Sequence, residues 1–370
     1  MLCIIIIITN TQNVAKVINS YDKLHIVVIK LYFCSKLPSM KKQISKIVTI
    51  INPISGVGSK ERIPEILSSR CLEKGITLNM AYTEYAGHAS ELTKKAIDDR
   101  ADCVIAVGGD GTVNEVARNL LYSDVILGII PKGSGNGLAR DLHIPMDIRG
   151  AVDVIFSNRV SVIDAGRAND LFFFCTCGVG FDATVSAEFA KNKRRGSLTY
   201  LKEIIESYLA YKPETYLLQV NDSTIKEDAF LITCANASQY GNNAFIAPNA
   251  DISDGQMDVT ILSPFSTLDI GPLAVQLFTK TIDKNSKIKI FRTKEARIVR
   301  QHAGMMHIDG DPVMASKDID ISIISSAIHV FTPSTVSFAE GMHRRINEVF
   351  GFFEQRFVFS QRHTEKTVTS

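Results

Sequence analysis

Three glycine-rich segments constrain this chain most, because each directly follows an apolar run. Asn52-Pro53-Ile54-Ser55-Gly56-Val57-Gly58 follows the run at 46–52. Gly108-Gly109-Asp110-Gly111-Thr112-Val113-Asn114-Glu115 follows 103–107, and Pro131-Lys132-Gly133-Ser134-Gly135-Asn136-Gly137 follows 125–130. A short, continuously apolar run ending in a turn is the pattern of a buried parallel strand. Residues 78–83 read as a further strand, and amphipathic stretches at 59–73, 88–98 and 112–121 read as helices, the first closed by Gly75. Helical patterns also open at 138–142 and 151–156. The alternation predicts a doubly wound α/β domain with a parallel sheet. In such a sheet the loops at the carboxyl ends of the strands share one rim, where ligands bind. Glycines let backbone N–H groups approach a phosphate, and the following helix N-terminus adds partial positive charge. Three such loops on one rim predict a phosphate or nucleotide site. None is a GxxxxGK[ST] or GxGxxG loop, so the cradle is of another kind.

After residue 160 the pattern changes. Short β-rich segments are predicted at 171–177, 216–220, 230–235, 257–262, 287–291, 296–300, 319–324 and 328–331. Helical patterns fall at 183–190, 198–208 and 267–280. This predicts a mostly antiparallel second domain, a β-sandwich or barrel. The expected division is 1–42 as an extension or misassigned start, 43–165 as the nucleotide-binding domain, 166–333 as the β-rich domain, and 334–370 as a helix with a frayed tail. The apolar run Leu2–Ile8 is too short to span a bilayer, and no secretory cleavage pattern follows it.

Composition narrows the function classes. Of 370 residues, 45% are apolar and 22% charged, which fits a globular protein and excludes a multi-span membrane protein. The net charge of +2 gives no global basic field for nucleic acid. Seven cysteines without zinc-ligand spacing argue against a disulfide framework and for a reducing compartment.

The loops carry a resemblance. The chain resembles the diacylglycerol kinase catalytic family of lipid kinases, which includes soluble bacterial diacylglycerol kinases, sphingosine kinases and ceramide kinases. The likeness runs over about residues 43–333 and rests on Asn52-Pro-x-Ser-Gly, Gly108-Gly-Asp-Gly-Thr with Asn114-Glu115, and Pro131-x-Gly-Ser-Gly-Asn136. Gly178-Val-Gly-Phe-Asp182 and Asp309-Gly-Asp311-Pro312 also fall where the family has motifs. The resemblance implies an NAD-kinase/diacylglycerol-kinase-like fold and ATP with Mg²⁺. The nucleotide would meet Asn52, Pro53, Ser55, Gly56, Thr83, Gly108, Gly109, Gly111, Thr112, Asn114, Glu115, Gly133, Ser134 and Asn136. It also implies a membrane lipid, diacylglycerol or a sphingoid base, as acceptor.

Phosphoryl transfer needs a carboxylate near the accepting hydroxyl. Asp110, between glycines at a strand end, is expected to face the nucleotide or its metal. Asp309 and Asp311 flank Gly310 on an expected hairpin. The family has Asp-Gly-Glu here, with the Glu as proposed base; Asp311 stands in its place, one carbon shorter. The acidic loop Asp251-Ile-Ser-Asp254-Gly255-Gln256 alternates carboxylates and carbonyls around a glycine, which suits a hard cation, and the resemblance implies a structural Mg²⁺ on Asp251, Asp254 and the Gln256 carbonyl. A surface turn explains the same residues equally well. The basic cluster Lys191-Asn-Lys193-Arg194-Arg195 suits anionic headgroups or a solvated helix end. A cytoplasmic, peripherally membrane-associated enzyme is expected, and a homodimer stays open. An NAD kinase-like enzyme and a non-catalytic nucleotide or lipid binder are the alternatives.

Overall fold

The computed structural model describes residues 44–56, 62–191 and 211–333. All of them belong to one compact unit, Gln43–Ser370. Residues 1–42, the helix expected at 198–208, nearly all of the basic cluster and the tail beyond 333 lie outside the described residues.

The first half runs β1 (Lys46–Ile51), α1 (Arg62–Glu73), β2 (Thr77–Tyr82), α2 (His88–Asp98), β3 (Cys103–Gly108), α3 (Asp110–Ala117), β4 (Ile126–Pro131), α4 (Gly137–Asp141) and α5 (Ile148–Phe156). There follow β5 (Val160–Ala168), β6 (Leu171–Phe173), β7 (Thr176–Gly180), α6 (Phe181–Lys191), β8 (Glu214–Val220), β9 (Ser223–Ala229), β10 (Leu231–Ala235) and β11 (Met257–Leu262). The last elements are α7 (Ile270–Phe278), β12 (Ile288–Thr293), β13 (Glu295–Val299), β14 (Gly304–Ile308), β15 (Asp311–Ala315) and β16 (Asp318–Phe331).

The expected parallel sheet is present, in the order β2-β1-β3-β4. Every residue of β3 and β4 is buried, which is why they read as unbroken apolar runs. Edge strand β2 alternates instead. Side chains such as Ile50, Ile105 and Leu67 are fully buried between sheet and helices. Burying each stabilises the fold by about 1.5–3 kcal/mol.

The expected antiparallel sandwich is present too, but its two layers are joined differently from two independent sheets. The parallel sheet does not end at β4. β16 pairs with β4 in parallel through His329–Ile126 and Val330–Leu127, and continues antiparallel to β13, β8 and β9. One ten-stranded sheet therefore passes through both halves of the chain. Its antiparallel part packs on a second, six-stranded sheet, β12-β11-β10-β7-β14-β15. Tyr216, Leu218 and Ile298 from the first layer meet Cys177, Ile232, Val259 and Met306 from the second. The stretch 171–177, expected as one strand, is two: β6 pairs with β5 in the long sheet, and β7 lies in the other. The two strands expected at 319–324 and 328–331 are one, β16, with a bulge between Ile324 and Ile328.

Candidate active site

The three glycine loops meet at the carboxyl ends of β1, β3 and β4. They pack backbone on backbone. A Cβ on Gly56 would lie 1.9 Å from the Lys132 carbonyl oxygen, and one on Gly133 would lie 2.5 Å from the Gly109 Cα. Side chains are excluded at these points, so peptide groups form the lining. The Lys132 amide donates to the Gly108 carbonyl at 2.7 Å. Asn52 Nδ2 donates to Thr112 Oγ1 at 3.0 Å, and Ser55 Oγ to the Asn52 carbonyl at 3.1 Å, which ties the first loop to the second and closes the turn at Pro53. Asn136 folds the third loop: its Oδ1 accepts from the Gly133 amide and its Nδ2 donates to the Gly133 carbonyl, both at 2.8 Å. Ser134 lies exposed at the tip of that loop. The Thr83 amide donates to the Ile51 carbonyl at 2.9 Å, so Thr83 sits at the neighbouring strand end. Helix α3 opens on this rim, with the unsatisfied N–H groups and partial positive charge of a helix N-terminus.

Asn114 and Glu115 tie the second loop's helix to its surroundings. Glu115 accepts from the Gly87 amide at 2.8 Å and the Ala89 amide at 3.1 Å, holding the start of α2. Asn114 Nδ2 donates to the Phe172 carbonyl at 3.0 Å and to Asp309 Oδ2 at 2.8 Å, joining α3 to the second half of the chain.

The three carboxylates expected at the chemistry take different places. Asp110 Oδ1 accepts from the Gly137 amide at 2.6 Å and Oδ2 from the Asn136 amide at 2.8 Å. It thereby locks the second loop to the third. Desolvation pushes its carboxyl up to about 6; those amides oppose the shift and the Asp309 charge adds to it. Asp309 accepts four donors: the Cys175 amide at 2.7 Å, the Thr176 amide at 3.1 Å, the Phe174 amide at 2.9 Å, and Asn114. Desolvation raises its pKa against these donors. Asp311, the first residue of β15, is exposed and accepts no hydrogen bond from the described residues. A Cβ on Gly111 would lie 3.0 Å from its Oδ2, so its carboxylate rests on the signature loop. Desolvation raises its pKa, the Asp309 and Glu115 charges add to this, and Arg118 opposes it. Asp311 is the carboxylate left open for an incoming group.

The acidic loop closes on itself. Asp251 Oδ1 accepts from the Ser253 amide at 3.0 Å and hydroxyl at 2.8 Å, and Asp254 Oδ1 from the Gln256 amide at 2.9 Å. Its positive charge comes from Arg292, which lies 3.3 Å from Asp254 Oδ2 and 2.9 Å from Asp258 Oδ1 and donates to the Asn249 carbonyl at 2.5 Å. Among the described residues no three His, Cys, Asp or Glu side chains gather as a metal cage. The Arg292 guanidinium lies among the loop's oxygens, where it competes for Asp254 with any cation bound there.

Sequence reasoning missed Arg292 and Asp164. Asp164 accepts from the Gly255 amide at 2.6 Å and the Ser326 amide at 2.7 Å, pinning the acidic loop to the bulge of β16. Its signal was a carboxylate inside the apolar stretch Val162-Ile163-Asp164-Ala165. Asp182, quoted only as part of a motif, faces His307 Nε2 at 3.0 Å and accepts from Thr233 Oγ1 at 2.8 Å behind the hairpin.

Comparison with known proteins agrees with this arrangement. Residues 46–168 match the diacylglycerol kinase catalytic domain, and residues 175–332 match the YegS C-terminal NAD kinase beta sandwich-like domain. A Pectobacterium atrosepticum protein named "Probable lipid kinase YegS-like" is 30% identical over 273 residues, 72% of this chain and 90% of its own. A Mycobacterium tuberculosis diacylglycerol kinase is 27% identical over 310 residues, 79% of this chain and 97% of its own. The crystal structure of a diacylglycerol kinase from Bacillus anthracis str. Sterne superposes with a TM-score of 0.59 at 20% identity, covering 80% of this chain and 99% of the other. That structure carries the fold, and the sequence relatives carry the family. The loops, the two joined layers and these relatives agree: the chain belongs to the family of lipid kinases built on the diacylglycerol kinase catalytic domain.

Proposed function

We propose that this kinase transfers the γ-phosphoryl group of ATP to a hydroxyl of a membrane lipid, diacylglycerol or a sphingoid base, with Asp311 as the base. The observation that carries this reading is the division among the carboxylates. Asp110 and Asp309 are held by backbone amides, whereas Asp311 is exposed, and its carboxylate accepts no hydrogen bond among the described residues and rests on Gly111 at the nucleotide rim.

The triphosphate would lie on the peptide groups of the Gly56, Gly108–Thr112 and Gly133–Asn136 loops, with its charge toward the N-terminus of α3. Asp311 would take the proton from the lipid hydroxyl as its oxygen attacks the γ-phosphorus, while ADP leaves on the opposite side. Mg²⁺ keeps most of its waters and phosphate ligands and asks one or two carboxylates of the protein. Asp110 fits that role, since each of its oxygens retains a lone pair beyond its amide bond. When bound, the ion would neutralise developing phosphate charge. No described helix is long and apolar enough to cross a membrane, which suits an enzyme that reaches its lipid from the bilayer surface.

The test is purified protein with γ-labelled ATP, Mg²⁺ and separate samples of diacylglycerol, a sphingoid base and NAD. Label in one of the lipids is expected. Label in NAD, or ATP binding with no transfer to any lipid, would contradict the reading.

A further inference from the structure

Helix α7, Ile-Gly-Pro-Leu-Ala-Val-Gln-Leu-Phe, carries no charged side chain, yet it lies on the surface. Only Leu273 is buried, packed with Ile282 and Ile288 on the outer face of the six-stranded sheet. Val275 is 62% exposed, Phe278 57%, and Leu268 in the preceding turn 87%. A surface helix ordinarily turns a polar face to water, and a contiguous exposed apolar ridge marks a contact surface.

The surrounding charges identify the contact. Lys280 lies at the end of the helix, Lys284 in the next turn, and the charge of Lys287 reaches Asp269 at the start. These three lysines are exposed and in no ion pair among the described residues. Of the two acids beside them, Asp269 accepts from the Ser266 amide and hydroxyl at 2.8 and 2.9 Å and Asp283, in the turn with Lys284, accepts from Asn249 Nδ2 at 3.5 Å, so the cations outnumber the carboxylates around the helix. An apolar ridge flanked by exposed lysines, of which Lys280 lies over the Phe245 ring at 5.3 Å, complements a layer of anionic headgroups over hydrocarbon. We propose that α7, with Leu268 and these lysines, is the surface by which the enzyme docks on an anionic lipid bilayer. The proposal rests on the reading that the acceptor is a membrane lipid. Its position suits that reading: Phe181, at the start of α6, shares α7's apolar cluster, and α6 packs on β14 and β15, the hairpin that presents Asp311.

The experiment is sedimentation of the full chain with phosphatidylcholine vesicles, with and without phosphatidylglycerol, in the absence of ATP. The wild type is expected to sediment with the anionic vesicles. Val275→Glu with Phe278→Glu should lower the partition coefficient about tenfold or more. Lys284→Glu with Lys287→Glu should remove the phosphatidylglycerol dependence. Both variants should melt as the wild type does and phosphorylate detergent-dispersed lipid at the wild-type rate. If the apolar pair does not fold, Leu268→Ser and the lysine pair carry the test. No binding by the wild type, or equal binding by all variants, would overturn the proposal. So would a wild-type dimer that the apolar variant makes monomeric with vesicle binding unchanged, which would assign the ridge to a second copy of the chain. Failure of the kinase reading would look different: vesicle binding intact, with no label transfer in detergent.

Discussion

Asp309 and Asp311 stand two residues apart on one hairpin, and their surroundings assign them opposite work. The Asp309 carboxylate accepts three backbone amides and Asn114 Nδ2. Asp309→Asn keeps the size but turns an NH₂ group toward N–H donors, leaving a donor unpaired at a cost of about 1–3 kcal/mol. The expected result is a lower melting temperature, with kcat reduced only through the displaced hairpin. A variant that melts normally and is catalytically dead would instead place Asp309 at the chemistry. Asp311 is held above the usual carboxylate range by desolvation and by the Asp309 and Glu115 charges. A base works only when unprotonated, so kcat/KM should rise with pH through that elevated pKa. The acid limb of the profile should then lie above about pH 4, the ordinary carboxylate value, and Asp311→Glu should retain it. A rate flat across that range would show that no carboxylate of the cleft titrates in the transfer.

At the scale of elements, the parallel half was legible because its signals are local. β3 and β4 are unbroken apolar runs, β1 is interrupted only by Thr49 after its first residue, and each runs straight into its loop. β9 went unread because its sequence, Ser-Thr-Ile-Lys-Glu-Asp-Ala, is that of an exposed edge strand with few apolar positions. β5 went unread because the buried Asp164, held by the Gly255 and Ser326 amides, and the exposed Arg167 interrupt its apolar pattern. The split of 171–177 into β6 and β7 occurs where the Phe174, Cys175 and Thr176 amides turn onto Asp309, more than 130 residues later in the chain, which no local pattern encodes. The same limit applies to the site. The glycine loops were readable, but the roles of the carboxylates depend on partners such as Asn114 and Asp309, 195 residues apart. Arg292 was hidden likewise, and it makes the acidic loop testable. Arg292→Leu leaves Asp258, whose side chain is only 4% exposed, without its partner. Stability should fall by about 1–3 kcal/mol. A chelator should leave the wild-type melting temperature unchanged, and a drop on chelation that is lost in Asp251→Ala would put a metal ion in the loop.

At the scale of the whole molecule, β16 is the strand that makes two expected domains one body. It belongs to the parallel sheet through β4 and to the sandwich through β13, and β5 pairs along nearly its full length. The first half cannot lose β16 without losing an interior neighbour of β4, and the second cannot lose it without opening its core. Calorimetry should therefore show one cooperative unfolding transition for residues 44–333, and two resolved transitions would show that the halves unfold separately. The same continuity lets a hairpin from the C-terminal half deliver Asp311 to a loop of the N-terminal half, which is the central claim about function. Its most direct test is transfer of label from γ-labelled ATP to lipid by the wild type and by Asp311→Asn, with ATP binding measured separately. The account predicts label in the lipid with the wild type and, for the variant, a kcat lower by about 10²–10⁴ with nearly unchanged ATP affinity. An Asp311→Asn enzyme that transfers label at the wild-type rate would contradict it.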